Sequence, residues 1–241
     1  MRVVRQSASS DQKFNDTRVS LVRAVQRPDL KELVEKWLAQ PVAVATVAQD
    51  RTRSAALTFT TATAECALAR TALLDVICRS REFYFNAGGR QRQDPLRNAT
   101  FVDSVGRLRR LSGEALVERA RQLAERMGAT SYPRITKEQV KEEAEKIRAG
   151  AELLAAKVQA LALATSAKEA ADRAFASAAS VCQLELASFK RVLRAEKMSE
   201  AAVHEIIPGY SPSRRRRQPP SPPPAPAPQP VAGGATSASP A

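Results

Sequence analysis

The chain has 241 residues, 9 glycines, 5% aromatic residues and a formal charge of +13. Few glycines and few aromatics argue against a β-rich fold, and the length suits one domain with a tail. No apolar run approaches about 18 residues, so no membrane-spanning helix is expected.

The charge is unevenly placed. Residues 1–93 carry 15 basic and 9 acidic side chains, residues 94–135 carry 8 and 5, and residues 136–207 carry 11 and 11. The remainder holds four arginines and no acid. The last long stretch is therefore a neutral packing element, and any polyanion is met by the first half or by the tail. Cys66, Cys78 and Cys182 are odd in number, lack C-x-x-C spacing and each fall within a helical pattern. They read as small apolar core residues of a reducing compartment.

In chain order, residues 1–27 form a basic segment. Its first ten residues hold two arginines, three serines and no acid, which fits a mitochondrial presequence or a frayed basic terminus. Phe14, Val19, Leu21, Val22 and Val25 predict a short amphipathic helix between Asp16 and Gln26. It either packs on the body of the protein or lies on a membrane with Arg18, Arg23 and Arg27 alongside. Pro28 and Asp29 restart helix, because proline and an acid both suit a first turn. Leu30, Leu33, Val34, Trp37 and Leu38 give that helix its apolar face, with Trp37 expected in the core. Pro41 should break or kink it.

A proline-free stretch follows. Its opening, Val42 to Thr63, is rich in valine and threonine, yet no turn chemistry or partner strand accompanies it. Ala55, Phe59, Ala62, Cys66, Ala69, Leu73 and Val76 fit a helical stripe, so a helix is predicted from Val42 to Phe85. Asn86 to Gly89 ends it, since glycine accepts the left-handed C-terminal conformation. After a loop holding Arg90 and Arg92, Asp94 and Pro95 open a helix running to Met127. Its stripe is Phe101, Val105, Leu108, Leu116, Leu123 and Met127. Arg90, Arg92, Arg97, Arg107, Arg109 and Arg110 read either as a solvated face or as contacts to the phosphates of an anionic lipid.

The stretch from Ile135 to Ile207 reads as one very long helix. Thr136 and Gln139 make a capping box, with Ile135 and Val140 placed as a hydrophobic staple. Apolar positions then step by fours and threes through Val140, Ala144, Ile147, Ala151, Leu154, Val158 and Leu161. The stepping fails at Lys168 and Asp172 and resumes at Phe175, Ala179, Cys182, Leu186, Phe189 and Leu193. This narrow seam is that of a coiled coil or slender bundle. At 1.5 Å per residue the helix would span roughly 105 Å, against about 35–45 Å for a compact domain of this size. The predicted fold is therefore all-α: an elongated antiparallel bundle of three long helices over residues 28–207, dimerised through the seam. Residues 208–241, rich in proline and alanine, are expected to be disordered. There Arg214, Arg215, Arg216 and Arg217 precede Pro220 and Pro223 in the +xxPxxP pattern that Src-homology-3 domains read. Four arginines also suit nuclear import or an anionic lipid.

Catalytic chemistry is missing. His204 is the only histidine, and no zinc, nucleotide-binding or nucleophile motif accompanies it. The chain is expected to be no enzyme and to need no cofactor. No zinc finger or RNA-recognition signature is present either.

Ser180 to Leu193, S-V-C-Q-L-E-L-A-S-F-K-R-V-L, is similar to the closing helix of sorting-nexin-type BAR domains. There a glutamate is followed four residues on by phenylalanine and then by a basic amphipathic continuation. Glu185 and Phe189 match the pair, and Val192 and Leu193 the continuation. The resemblance implies a crescent-shaped dimer that senses or shapes curved anionic membranes, peripheral on endosomes or vesicles. The alternative is a helical structural subunit of a ribonucleoprotein such as a mitochondrial ribosome, for which the basic first half and presequence-like start would serve equally.

Overall fold

The computed structural model describes residues 8–87 and 95–207. Among them the chain is all helix, with no strand. The order is α1 (Ser10–Val25), a 3-10 turn (Pro28–Leu30), α2 (Lys31–Val34), a π turn (Glu35–Ala39), α3 (Gln40–Ala87), α4 (Pro95–Thr100), α5 (Val105–Leu108), α6 (Gly113–Ala129), α7 (Lys137–Ala195) and α8 (Glu200–Ile206).

Two of these are long: α3 with 48 residues and α7 with 59. They run antiparallel. Pro41 faces Cys182, Thr52 faces Ala171, Glu65 faces Lys157 and Ser80 faces Glu143. The valine- and threonine-rich opening of α3 is helical, and its threonines bond to their own helix. The hydroxyls of Thr46, Thr58, Thr60 and Thr63 each donate to the carbonyl four residues back.

Several expectations are corrected. The first helix begins at Ser10, not Asp16, because Ser9 and Gln12 form a capping box. Pro41 does not end a helix. The turn ahead of it widens to a π turn, which opens the space its ring needs, and α3 continues through it. Trp37 is only half-buried, with the Lys36 ammonium 5.7 Å from its ring centre.

The third long helix is also absent. Between Pro95 and Ala129 the chain forms three pieces, because Ser104 and Ser112 each cap a new start. The last helix stops at Ala195 instead of Ile207. Lys197 is left-handed (φ 59°), with its N–H on the Arg194 carbonyl and that of Met198 on Leu193. This is a Schellman end built on lysine where glycine is usual. Ser199 then caps α8, which folds back against α1 through the bond from Arg23 to the Glu205 carbonyl.

The core divides in three. At one end, the tip, α3, α6 and α7 enclose Leu73, Ile77, Tyr84, Phe101, Leu116, Met127, Ile147 and Leu154. At the other end, the root, Leu38, Phe189, Leu193, Val203 and Ile206 pack with α1 and α8. Next to them Phe14 meets Phe175 edge-on, over Val42, Ala45, Ala179 and Cys182. Between tip and root lies a waist of α3 and α7 alone, where Ala62 and Ala164 are the buried side chains.

Candidate anion-binding surface

The long-helix seam is filled by the chain itself. Val140, Ile147, Leu154, Phe175, Cys182, Leu186, Phe189 and Leu193 are buried, while Val158 and Leu161 are half-buried at the waist. The break in the stepping is real: Lys168 and Asp172 pair with each other at 2.7 Å. The expected dimer contact through this seam is therefore corrected, because α1, α3 and α6 already occupy it. Cys182 donates its thiol to the Pro41 carbonyl at 3.2 Å, and burial pushes its pKa up to about 11.

Of the six arginines singled out, Arg90 and Arg92 lie outside the described residues, as do Arg214–Arg217, Pro220 and Pro223. Arg97 is 8% exposed, with its guanidinium 5.1 Å from the Phe85 ring centre. It supports the tip from inside and offers nothing to a surface ligand. Arg107 in α5, and Arg109 and Arg110 on the link between α5 and α6, are exposed.

How that link is held was not legible in the sequence. Arg70, from α3, donates to the carbonyls of both Arg109 and Leu111, at 2.8 and 2.6 Å. These contacts pin the backbone and leave the Arg109 and Arg110 side chains in solvent. Beside them Asp103 is 8% exposed. Arg107 reaches its carboxylate at 3.2 Å and Arg119 at 3.9 Å, while Arg81 donates to its carbonyl at 3.4 Å. The Arg126 Nε is buried next to this group without a hydrogen-bond partner. Asp103 thus organises arginines from α3, α5 and α6, a grouping that no local spacing could announce. The cleft they line measures only about 10 Å³, no more than a single water needs. Its chemistry is that of a rim: the buried Asp103 carboxylate pairs with Arg107 and Arg119, its carbonyl takes Arg81, and the surplus positive charge faces outward. Guanidiniums held this way suit phosphate oxygens, which they can meet in bidentate fashion.

A second surface lies at the root. The helix α1 buries Phe14, Thr17, Ser20 and Ala24. Thr17 and Ser20 bond back to Lys13 and Asp16 carbonyls, which makes them acceptable inside. Val19, Val22 and Val25 consequently point outward, at 40, 56 and 63% exposure, beside Arg18 and Arg23. Arg27 is paired with Asp29 at 3.0 Å. The sequence suggested that these valines and Phe14 share one face; the structure separates them.

An open groove of about 390 Å³ between α1, α3 and α7 is lined by Ser10, Asp11, Gln49, Thr52, Arg53, Asp172 and Phe175. It brings no nucleophile next to a base. Among the described residues no three histidine, cysteine or carboxylate side chains gather as a metal site, and no helix is long and apolar enough to cross a membrane. No family model, no curated protein and no solved structure matches the chain.

Proposed function

We propose that this chain is a non-enzymatic, BAR-like scaffold that works as a dimer on curved anionic membranes, in endosomal or vesicular trafficking. The observation that carries the reading is the outer edge of α1. Three valines stand in solvent next to Arg18 and Arg23, the composition of a helix that lies in a lipid headgroup layer. The arginine rim of the tip supports it. From the level of Leu153, opposite Arg70, to that of Leu186, beside Ala24, α7 separates the two surfaces by about 50 Å. A bar with lipid-contacting groups at two levels responds to curvature along its length. In this reading the three-helix cross-section of the tip is the BAR-like element, and the arginine–proline tail recruits a partner with a Src-homology-3 domain.

The test is co-sedimentation with phosphatidylserine and phosphoinositide vesicles, run beside structured RNA. Val19, Val22 and Val25 changed together to Asp should lose vesicle binding. Arg107, Arg109 and Arg110 changed together to Ser should weaken it strongly, each contributing about 1 kcal/mol, with less effect at high salt. Retained vesicle binding in both variants, with RNA binding lost in the arginine variant, would hand the function to the ribonucleoprotein reading.

A further inference from the structure

The helix α7 carries a second apolar stripe that none of the described residues covers. Stepping by fours and threes from Ala149 leads through Leu153, Ala156, Ala160 and Leu163, and on without a charge to Ser188. Its large members stand in solvent: Leu153 at 50% exposure, Leu163 at 67%, Val181 at 45% and Leu184 at 68%. The buried seam lies on the opposite side, against α3. The uncovered stripe extends for about 60 Å of helix. Its stretch from Ala149 to Ser177, about 42 Å of helix, is centred on Leu163.

We infer that the occupant is a second copy of this chain, with the two α7 helices packed antiparallel, outer face to outer face, about a two-fold axis beside Leu163. The inference rests on the dimeric half of the proposed function and not on its membrane half. Charge pattern argues for it. About that axis Glu152 of one copy comes level with Arg173 of the other, and Lys157 with Glu169. Parallel pairing would instead set Arg173 against Arg173. A lipid surface fits this face poorly, because its flanking charges balance. The waist is centred on the same level. Residues 54–64 of α3 and 158–167 of α7 carry no charge. They face each other between the Glu65–Lys157 pair on one side and Thr52, bonded to the Ala171 carbonyl, on the other. Alanines at six of the nine stepping positions from Ala149 to Ser177 let two backbones approach closely, and a two-fold interface needs one self-complementary patch on each copy.

Sedimentation equilibrium on the full chain tests this. The wild type should be a dimer at micromolar concentration. Leu163→Asp should raise the dissociation constant at least about tenfold and leave helix content unchanged. Arg173→Glu should weaken the dimer, and adding Glu152→Arg should restore it. The intrachain Arg121–Glu152 pair, exposed on both sides, has little to lose. Orientation is read by oxidative cross-linking after Cys66 and Cys78 are changed to Ser. Leu163→Cys should link two copies, whereas Ala149→Cys should not. A dimer indifferent to Leu163→Asp, or one cross-linked through Ala149→Cys, overturns the inference but leaves a dimer. A monomeric wild type overturns the dimer itself, and vesicle binding by that monomer would leave the membrane reading standing.

Discussion

Tip and waist are built from the same two helices yet are different kinds of structure. At the tip, α6 packs as a third helix beside α3 and α7, and Leu73, Ile77, Ile147 and Leu154 belong to the core that the three enclose. At the waist, Ala62 and Ala164 are the buried side chains of α3 and α7, and little side chain is left to bury. The seam of α7 runs through both with the same spacing. Periodicity thus says which side of a helix is covered, while side-chain volume says how many neighbours cover it. Stability should accordingly concentrate at the tip and root, with the waist held in helix by continuity from both ends.

Truncating aromatic side chains in the two regions tests this comparison with the largest effect. Tyr84 is 1% exposed, with Phe83, Phe101 and Tyr132 edge-on around it. Tyr84→Ala should cost about 3–5 kcal/mol. Phe59, half-buried at the waist, should cost no more than about 1–2 kcal/mol on the same change. Urea unfolding followed by circular dichroism reads both. Equal losses would show that the waist is as tightly packed as the tip.

The sequence made the seam of α7 easier to see than what covers it. The seam from Val140 to Leu193 was legible because every position except Lys168 and Asp172 is apolar, and so was the Thr136 capping box. What covers that seam was not. A third long helix was expected because Phe101, Leu108, Leu116, Leu123 and Met127 keep helical phase across two interruptions. Each interruption turns on a single serine, Ser104 or Ser112, whose cap outweighs the phase. Likewise Lys197 ends α7 in a conformation that lysine seldom announces. The arginine rim stayed hidden for a different reason: Arg70, Arg81, Asp103 and Arg119 meet only once three helices have folded together.

The junction of tip and waist gives a sharper, smaller test. A Cβ on Gly113 would sit 2.6 Å from Val158 Cγ2. Gly113 opens α6, so its lack of a side chain is what lets the third helix begin against α7 there. Gly113→Ala should cost about 1–3 kcal/mol by overpacking, and Val158→Ala in the same chain should recover most of it. Gly150 provides the contrast. Its Cβ would meet Leu73 Cδ1 at 3.0 Å, the end of a side chain that can turn aside. Gly150→Ala also gains about 1 kcal/mol of helix propensity, and the two effects should nearly cancel. Thermal unfolding of the three variants gives the answer, and a large loss at Gly150 would place the tightest packing inside the tip instead of at its edge.

The smallest expected effect concerns acid. Burial pushes the Glu143 carboxyl up, but hydrogen bonds from Lys146 and Ser80 more than offset it, so its pKa lies below the usual carboxylate range. A carboxylate lowered on folding adds stability above its unfolded pKa, and that contribution is lost as pH falls through the folded value. Glu143 ties the Ser80 turn of α3 to α7, so the loss should fall on the tip. Between about pH 6 and pH 3 the urea midpoint of the wild type should therefore drop further than that of Glu143→Gln. Hydrogen exchange should assign the difference to residues around Ser80 and Ile147, with the waist amides unchanged. Identical pH profiles for the two proteins would mean that this contact contributes nothing to folding, and that the tip depends on its apolar core alone.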